Sequence, residues 1–147
     1  MMSATFNLAG LQAQLGELAA DVDQAIRPAA QAGSQVLYES VLRNVPVSAQ
    51  GHWFHGTSFK KTGKKYWFDS GTLRKSIYQV YSKDNSNQTQ ARYHISWNPK
   101  KAPYGFMVEY GTVKSRPVKF VGRAQAQMPV ALQAAETKFM NSLKRFA

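Results

Sequence analysis

The sequence predicts an α+β domain, with a long kinked N-terminal helix, a small antiparallel β-sheet, a short helix and a C-terminal amphipathic helix. Apolar residues recur at steps of three and four near both ends of the chain, and the centre alternates with period two. Glycine, proline and polar clusters mark the boundaries between these stretches, so helix, hairpin sheet and helix follow one another. With 147 residues, 44% of them apolar and 18% charged, the chain has the size and composition of one folded domain spanning residues 1–147.

From Phe6 onward Leu8, Leu11, Leu15, Leu18, Val22 and Ile26 form one stripe of an amphipathic helix. Pro28 has no amide hydrogen to give, so it either kinks this helix or opens a second one at its first turn. Val36, Leu37, Val41 and Leu42 resume the pattern until Asn44-Val45-Pro46 ends it. Unbroken, residues 6–44 would reach about 58 Å, whereas a compact domain of this size is about 38 Å across. The helix therefore bends back or projects. Projection leaves an apolar stripe in need of a partner, a first sign of oligomerisation.

Residues 47–68 contain Gly51, Gly56 and Gly63, the lysines Lys60, Lys61, Lys64 and Lys65, and the aromatics Trp53, Phe54, Phe59, Tyr66, Trp67 and Phe68. A protruding hairpin arm with its tip near Thr62-Gly63 fits this stretch, which is too long for a structureless loop. Ile77–Lys83 and Ala91–Asn98 read as two strands, joined through the polar turn Asp84-Asn85-Ser86-Asn87-Gln88. Tyr104, Met107 and Val108 have helical spacing, and Gly111 can take the left-handed conformation that ends a short helix. Arg116-Pro117 breaks the chain again before the apolar run Val118–Val121. Met128, Leu132, Ala135, Phe139, Leu143 and Phe146 then outline the terminal helix, entered through Pro129.

Charge is unevenly placed. Residues 1–45 carry two cations against four anions, net −2, while residues 46–147 carry seventeen against four, net +13. A field of this kind attracts polyanions without specifying a fold. No cysteine is present, which excludes disulfides, thiolate metal sites and thiol nucleophiles. No apolar run approaches the ~20 residues of a membrane helix, and no basic-then-apolar leader opens the sequence; a soluble chain without an export signal is expected.

Catalytic chemistry finds no named candidate. His52 and His55 lack a third metal ligand at suitable spacing, and His94 falls on the polar face of a strand. Gly56 to Lys65 fails the phosphate-loop pattern, because the position five before Gly63 is Ser58. Asp69, Asp84 and Glu109, the only acids between residues 46 and 135, balance local positive charge. The expectation is a protein without enzyme activity, metal or cofactor. Only the basic and aromatic residues between 53 and 75 could carry function by physics alone, with lysines neutralising phosphates and exposed rings stacking bases. The plain reading is that the aromatics pack and the lysines keep the hairpin in water.

Asp69-Ser70-Gly71-Thr72-Leu73-Arg74-Lys75-Ser76-Ile77, then Ala102-Pro103-Tyr104-Gly105-Phe106-Met107-Val108-Glu109-Tyr110-Gly111-Thr112, then Phe120-Val121-Gly122-Arg123-Ala124 resemble, in order and spacing, the head–tail joining proteins of long-tailed bacteriophages and prophages. The resemblance covers most of the chain. Residues 47–68 depart from it as an insertion, and Val118-Lys119 and Gly122 stand where the family favours proline. The resemblance implies a structural subunit of the neck or upper tail, assembled in the bacterial cytoplasm and located in the virion. There it forms a homo-oligomeric ring joining the DNA-filled head to the tail. Its implied partners are itself, the connector and tail proteins and, nonspecifically, packaged DNA, with no membrane, catalysis or cofactor. Gly71, Leu73, Ser76, Ile77, Tyr104, Val108, Glu109, Gly111, Thr112, Phe120 and Arg123 carry the matching motifs and take architectural roles. Gly71 and Gly111 serve positive-φ turns, Leu73, Ile77, Tyr104 and Val108 pack the sheet against the helices, and Glu109 pairs with a nearby cation. The arm at Lys60, Lys61, Lys64 and Lys65 crosses to a neighbouring subunit or lines the DNA passage. A minor tail or tail-terminator protein is the nearest alternative, and a basic nucleic-acid-binding module is the rival from another class.

Overall fold

The structure, a computed structural model, describes residue 4 and residues 9–143. Phe6, Leu8 and Phe146 of the expected stripes lie outside the described residues, as does the side chain of Leu11. The architecture is mixed helix and antiparallel sheet, as the sequence predicts. Helix α1 (Ala9–Asn44) leads into strand β1 (His52–His55), the single turn α2 (Phe59–Thr62) and strand β2 (Lys65–Phe68). One turn of helix, α3 (Thr72–Ser76), precedes strands β3 (Ile77–Tyr81) and β4 (Tyr93–Trp97). Helices α4 (Gly105–Tyr110), α5 (Phe120–Ala124) and α6 (Met128–Ser142) complete the chain, with a 3-10 turn at Gln125–Gln127 between the last two. Among the described residues no helix is long and apolar enough to cross a membrane.

Pro28 neither stops α1 nor opens a second helix: it sits inside one continuous element of 36 residues, about 54 Å long. An internal proline costs roughly 3 kcal/mol of helix stability, and here burial against α6 offsets it. The buried face differs from the expected stripe. Ala25, Ala29 and Gly33 are buried, and Val22 and Ile26 only flank them. A Cβ on Gly33 would meet the Ala131 carbonyl oxygen at 3.0 Å and the Ala135 Cβ at 3.3 Å, so small residues let the two helices approach closely. On α6 the contact likewise centres on buried Ala131, leaving Met128 and Leu132, which the pattern placed inside, exposed. Helix α6 runs antiparallel to α1, from Gly33 beside Ala131 to a cleft shared by Asp21, Gln24, Ala25 and Ser142.

The main core gathers Val41 and Val45 from the end of α1 with Leu73, Ile77, Ala102, Phe120 and Ala124. Phe120 is fully buried, its ring edge-on to Trp97 at 5.5 Å. Strands β3 and β4 pair antiparallel from Ile77 opposite Trp97 to Tyr81 opposite Tyr93. Both strands are shorter than their alternation suggests. The Ser86 hydroxyl donates to the Ser82 carbonyl, and the Arg92 amide donates to the Ser86 hydroxyl, turning Ser82 to Arg92 into a side-chain-braced loop.

Candidate functional site

The arm expected at 47–68 is a hairpin, β1 paired antiparallel with β2, from His52 opposite Phe68 to His55 opposite Lys65. One turn of helix, α2, forms its tip, and Gly63 ends that turn at φ +67°. Strand alternation gives the arm two faces. The inner face presents His52, Phe54 and Phe68 to the Tyr104 ring, at centroid distances of 4.7, 6.1 and 5.1 Å. These contacts dock the arm on the start of α4. A cleft of about 290 Å³ lies at this joint, bounded by Pro46, Val47, His52, Asp69, Leu73 and Tyr104. Burial pushes the Tyr104 hydroxyl above its ordinary value near 10, and a hydrogen bond with the Leu73 backbone pulls the other way.

The outer face carries Trp53 and Trp67, edge to face at 5.3 Å and each about half exposed. Lys65 Nζ lies 4.4 Å over the Trp53 ring, and Lys64 Nζ lies 5.4 Å from the Tyr66 ring centre. Trp67 Nε1 donates to the Asp69 carboxylate at 2.9 Å. Lys60, Lys61, Lys64 and Lys65 are all exposed. His52 and His55 fall on opposite faces, the first against Tyr104 and the second stacked at 4.0 Å on Phe59, so they do not converge on one ion. Exposed His94 lies across from Val80 on the sheet. Among the described residues no group of three His, Cys, Asp or Glu is placed to hold a metal.

The second and third motif segments meet elsewhere, around Glu109. This carboxylate is buried, and its oxygens accept hydrogen bonds from the Val121 amide at 2.9 Å and the Gly122 amide at 3.0 Å. The expected role of pairing with a cation is therefore corrected: Glu109 caps the first turn of α5, where unpaired amides attract negative charge. The Lys119 amide donates to the Glu109 carbonyl and the Val118 amide to the Val108 carbonyl, completing the joint between α4 and α5. Lys119 itself sits at φ +54°, a left-handed conformation closed to the proline that the resembling family favours in this region.

Gly71 and Gly111 both have φ +79°, but only Gly71 is in the left-handed helical region; Gly111, at ψ 176°, ends α4 in an extended positive-φ conformation instead of the expected left-handed one. A Cβ on Gly111 would come within 2.8 Å of the Pro117 nitrogen, so this turn needs glycine both for its φ and for space. Ser76 donates to the Leu73 carbonyl at 2.6 Å, and the Thr112 hydroxyl accepts from the Ser115 amide at 3.1 Å. Leu73, Ile77 and Phe120 belong to the buried core, with Tyr104 and Val108 packed at its edge and Arg123 exposed. The arm lysines do not join this cluster, so two sites result: an architectural node around Glu109 and an outward basic–aromatic face. Sequence reasoning grouped the arm's aromatics together. The period-two alternation of His52 to His55 and Lys65 to Phe68 was the signal separating inner from outer rings. No family model, curated protein or solved structure matches the chain.

Proposed function

We propose that the chain is a structural virion protein of the neck or upper tail, a subunit of a ring that joins the DNA-filled head to the tail and works by assembly, without turnover. The observation that carries this reading is the projecting start of α1. Among the described residues, helix α6 accompanies α1 back to the level of Asp21 to Ala25, and further along α1 Leu15 of the apolar stripe is 55% exposed. An apolar helix face extended past its own domain suits a subunit completed by neighbours. The resemblance of the three motifs supplies the setting. The burial of Leu73, Ile77 and Phe120 in one core, with Glu109 capping α5 beside it, fits an architectural role for them.

Electron microscopy of particles made after the gene is deleted from its phage or prophage, with the gene returned on a plasmid as control, tests the reading. DNA-filled heads beside separate finished tails are expected. Tails of abnormal length would move the protein to tail termination, and intact infectious particles would overturn the proposal. The four arm lysines favour a second reading, a nucleic-acid-binding module. Nanomolar, sequence-dependent DNA affinity that survives moderate salt would support that module, whereas weak binding with a steep salt dependence fits a passive basic surface.

A further inference from the structure

Two of the uncovered surfaces of the described chain lie at its opposite ends. One is the start of α1, where Leu15 and its neighbours Gly16, Glu17, Ala19 and Ala20 are exposed beyond the described end of α6. The other is the outer face of the arm, where Trp53 and Trp67 stand about half exposed beside Lys65. Their charges are opposite. Residues 13–26 contain Glu17, Asp21 and Asp23 and no lysine or arginine, while residues 47–68 contain four lysines and no acid.

Resting on the ring-subunit reading, we infer that the acidic start of α1 in one copy docks on the outer face of the arm in the next copy, so that copies associate head to tail. A single chain cannot make this contact with itself. Leu15 lies about 44 Å along α1 from Asn44, the arm emerges just beyond Asn44, and it is anchored on Tyr104. Its four-residue strands reach only about 13 Å. Two-fold pairing of like surfaces is disfavoured too, because it sets lysines against lysines or acids against acids. A contact between unlike surfaces satisfies both at once; repeated head to tail, as the ring-subunit reading requires, it generates a ring when its rotation closes.

The state of the two tryptophans favours a protein occupant over stacked bases. Lys65 already covers Trp53, Trp67 abuts Trp53, and the Trp67 indole nitrogen is held by Asp69. The rings are fixed anchors of the kind that dominate protein interfaces. On the helix, at about 100° per residue, Asp23 falls roughly 80° around from Leu15, at the margin of the apolar strip where a neighbour's lysine can reach it.

The absence of cysteine allows single thiols to be placed at exposed positions without background. Leu15→Cys and Lys64→Cys chains, each checked for native circular dichroism, are mixed and treated with a short bismaleimide. The contact predicts a covalent heterodimer at about five times the dimer yield of either variant alone, falling as salt rises from 0.1 to 1 M and the screening length shortens. Self-linked Leu15→Cys or Lys64→Cys dimers in equal yield, or no heterodimer, would overturn it. Adding Asp23→Lys to the first chain should abolish the product, and adding Lys60→Glu and Lys61→Glu to the second should restore it; failure to restore also overturns the contact. An arm that binds a duplex DNA oligonucleotide while giving no heterodimer would assign this face to DNA instead. Absence of the heterodimer together with unjoined heads and tails in the deletion strain would remove this contact and leave the ring-subunit reading standing.

Discussion

In the body of the protein one carboxylate, Glu109, is enclosed, and its oxygens are matched by the amides of Val121 and Gly122. In the arm four lysines stand in solvent beside two half-exposed tryptophans. The difference lies in what each charge does for the fold. A buried charge is tolerated only with its hydrogen bonds in place, so removing Glu109 strands two amides. An exposed lysine contributes almost nothing to folding and is free to serve a partner. The node around Glu109 should therefore respond to mutation in stability, and the arm in assembly.

Glu109→Ala should give the largest effect, a loss of about 3 kcal/mol from two charge-assisted bonds, read as a drop in Tm on the order of 10 °C. An unchanged Tm would remove the capping role. Gly111→Ala should cost about 2 kcal/mol, since φ +79° strains any Cβ and Pro117 blocks the space; chemical denaturation measures it.

Tyr104 links the two regions and adds a pH dependence. Its hydroxyl has a raised value in the folded state, so its contribution is complete below the ordinary tyrosine value near 10 and is lost as pH rises through the folded value. Limited proteolysis at Lys60 to Lys65 should accelerate above about pH 10, and Tyr104→Phe should remove that acceleration. Replacing Lys60, Lys61, Lys64 and Lys65 by glutamine should shift stability least, by under about 0.5 kcal/mol, yet impair particle joining. Unchanged infectious titre would reject a need for their charge.

The elements legible in the sequence were those with a clean period. The alternation of Tyr93, Ile95 and Trp97 marked β4, and the glycine at Gly63 marked the arm's tip. The buried rows of α1 and α6 lie beside the apolar stripes that the sequence marks, because hydropathy ranks Leu132 and Met128 above Ala131, whereas close helix packing selects alanine and glycine. Pro28 leaves the sequence open to a kinked helix or to a second helix, and the chain takes the single continuous helix because tertiary contact with α6 outweighs the local preference. Glu109 was expected among cations because sequence shows charge but not which amides a fold leaves unpaired. That α5 begins eleven residues after Glu109, within reach of its carboxylate, is visible only in three dimensions.

The most direct test of the ring account is a single-particle reconstruction of the head–tail junction in intact particles from the phage or prophage that carries this gene. The account predicts a closed ring of this chain between head and tail, with the start of α1 in each copy resting on the next copy's arm. Particles whose junction is complete but contains no copy of the chain would contradict it.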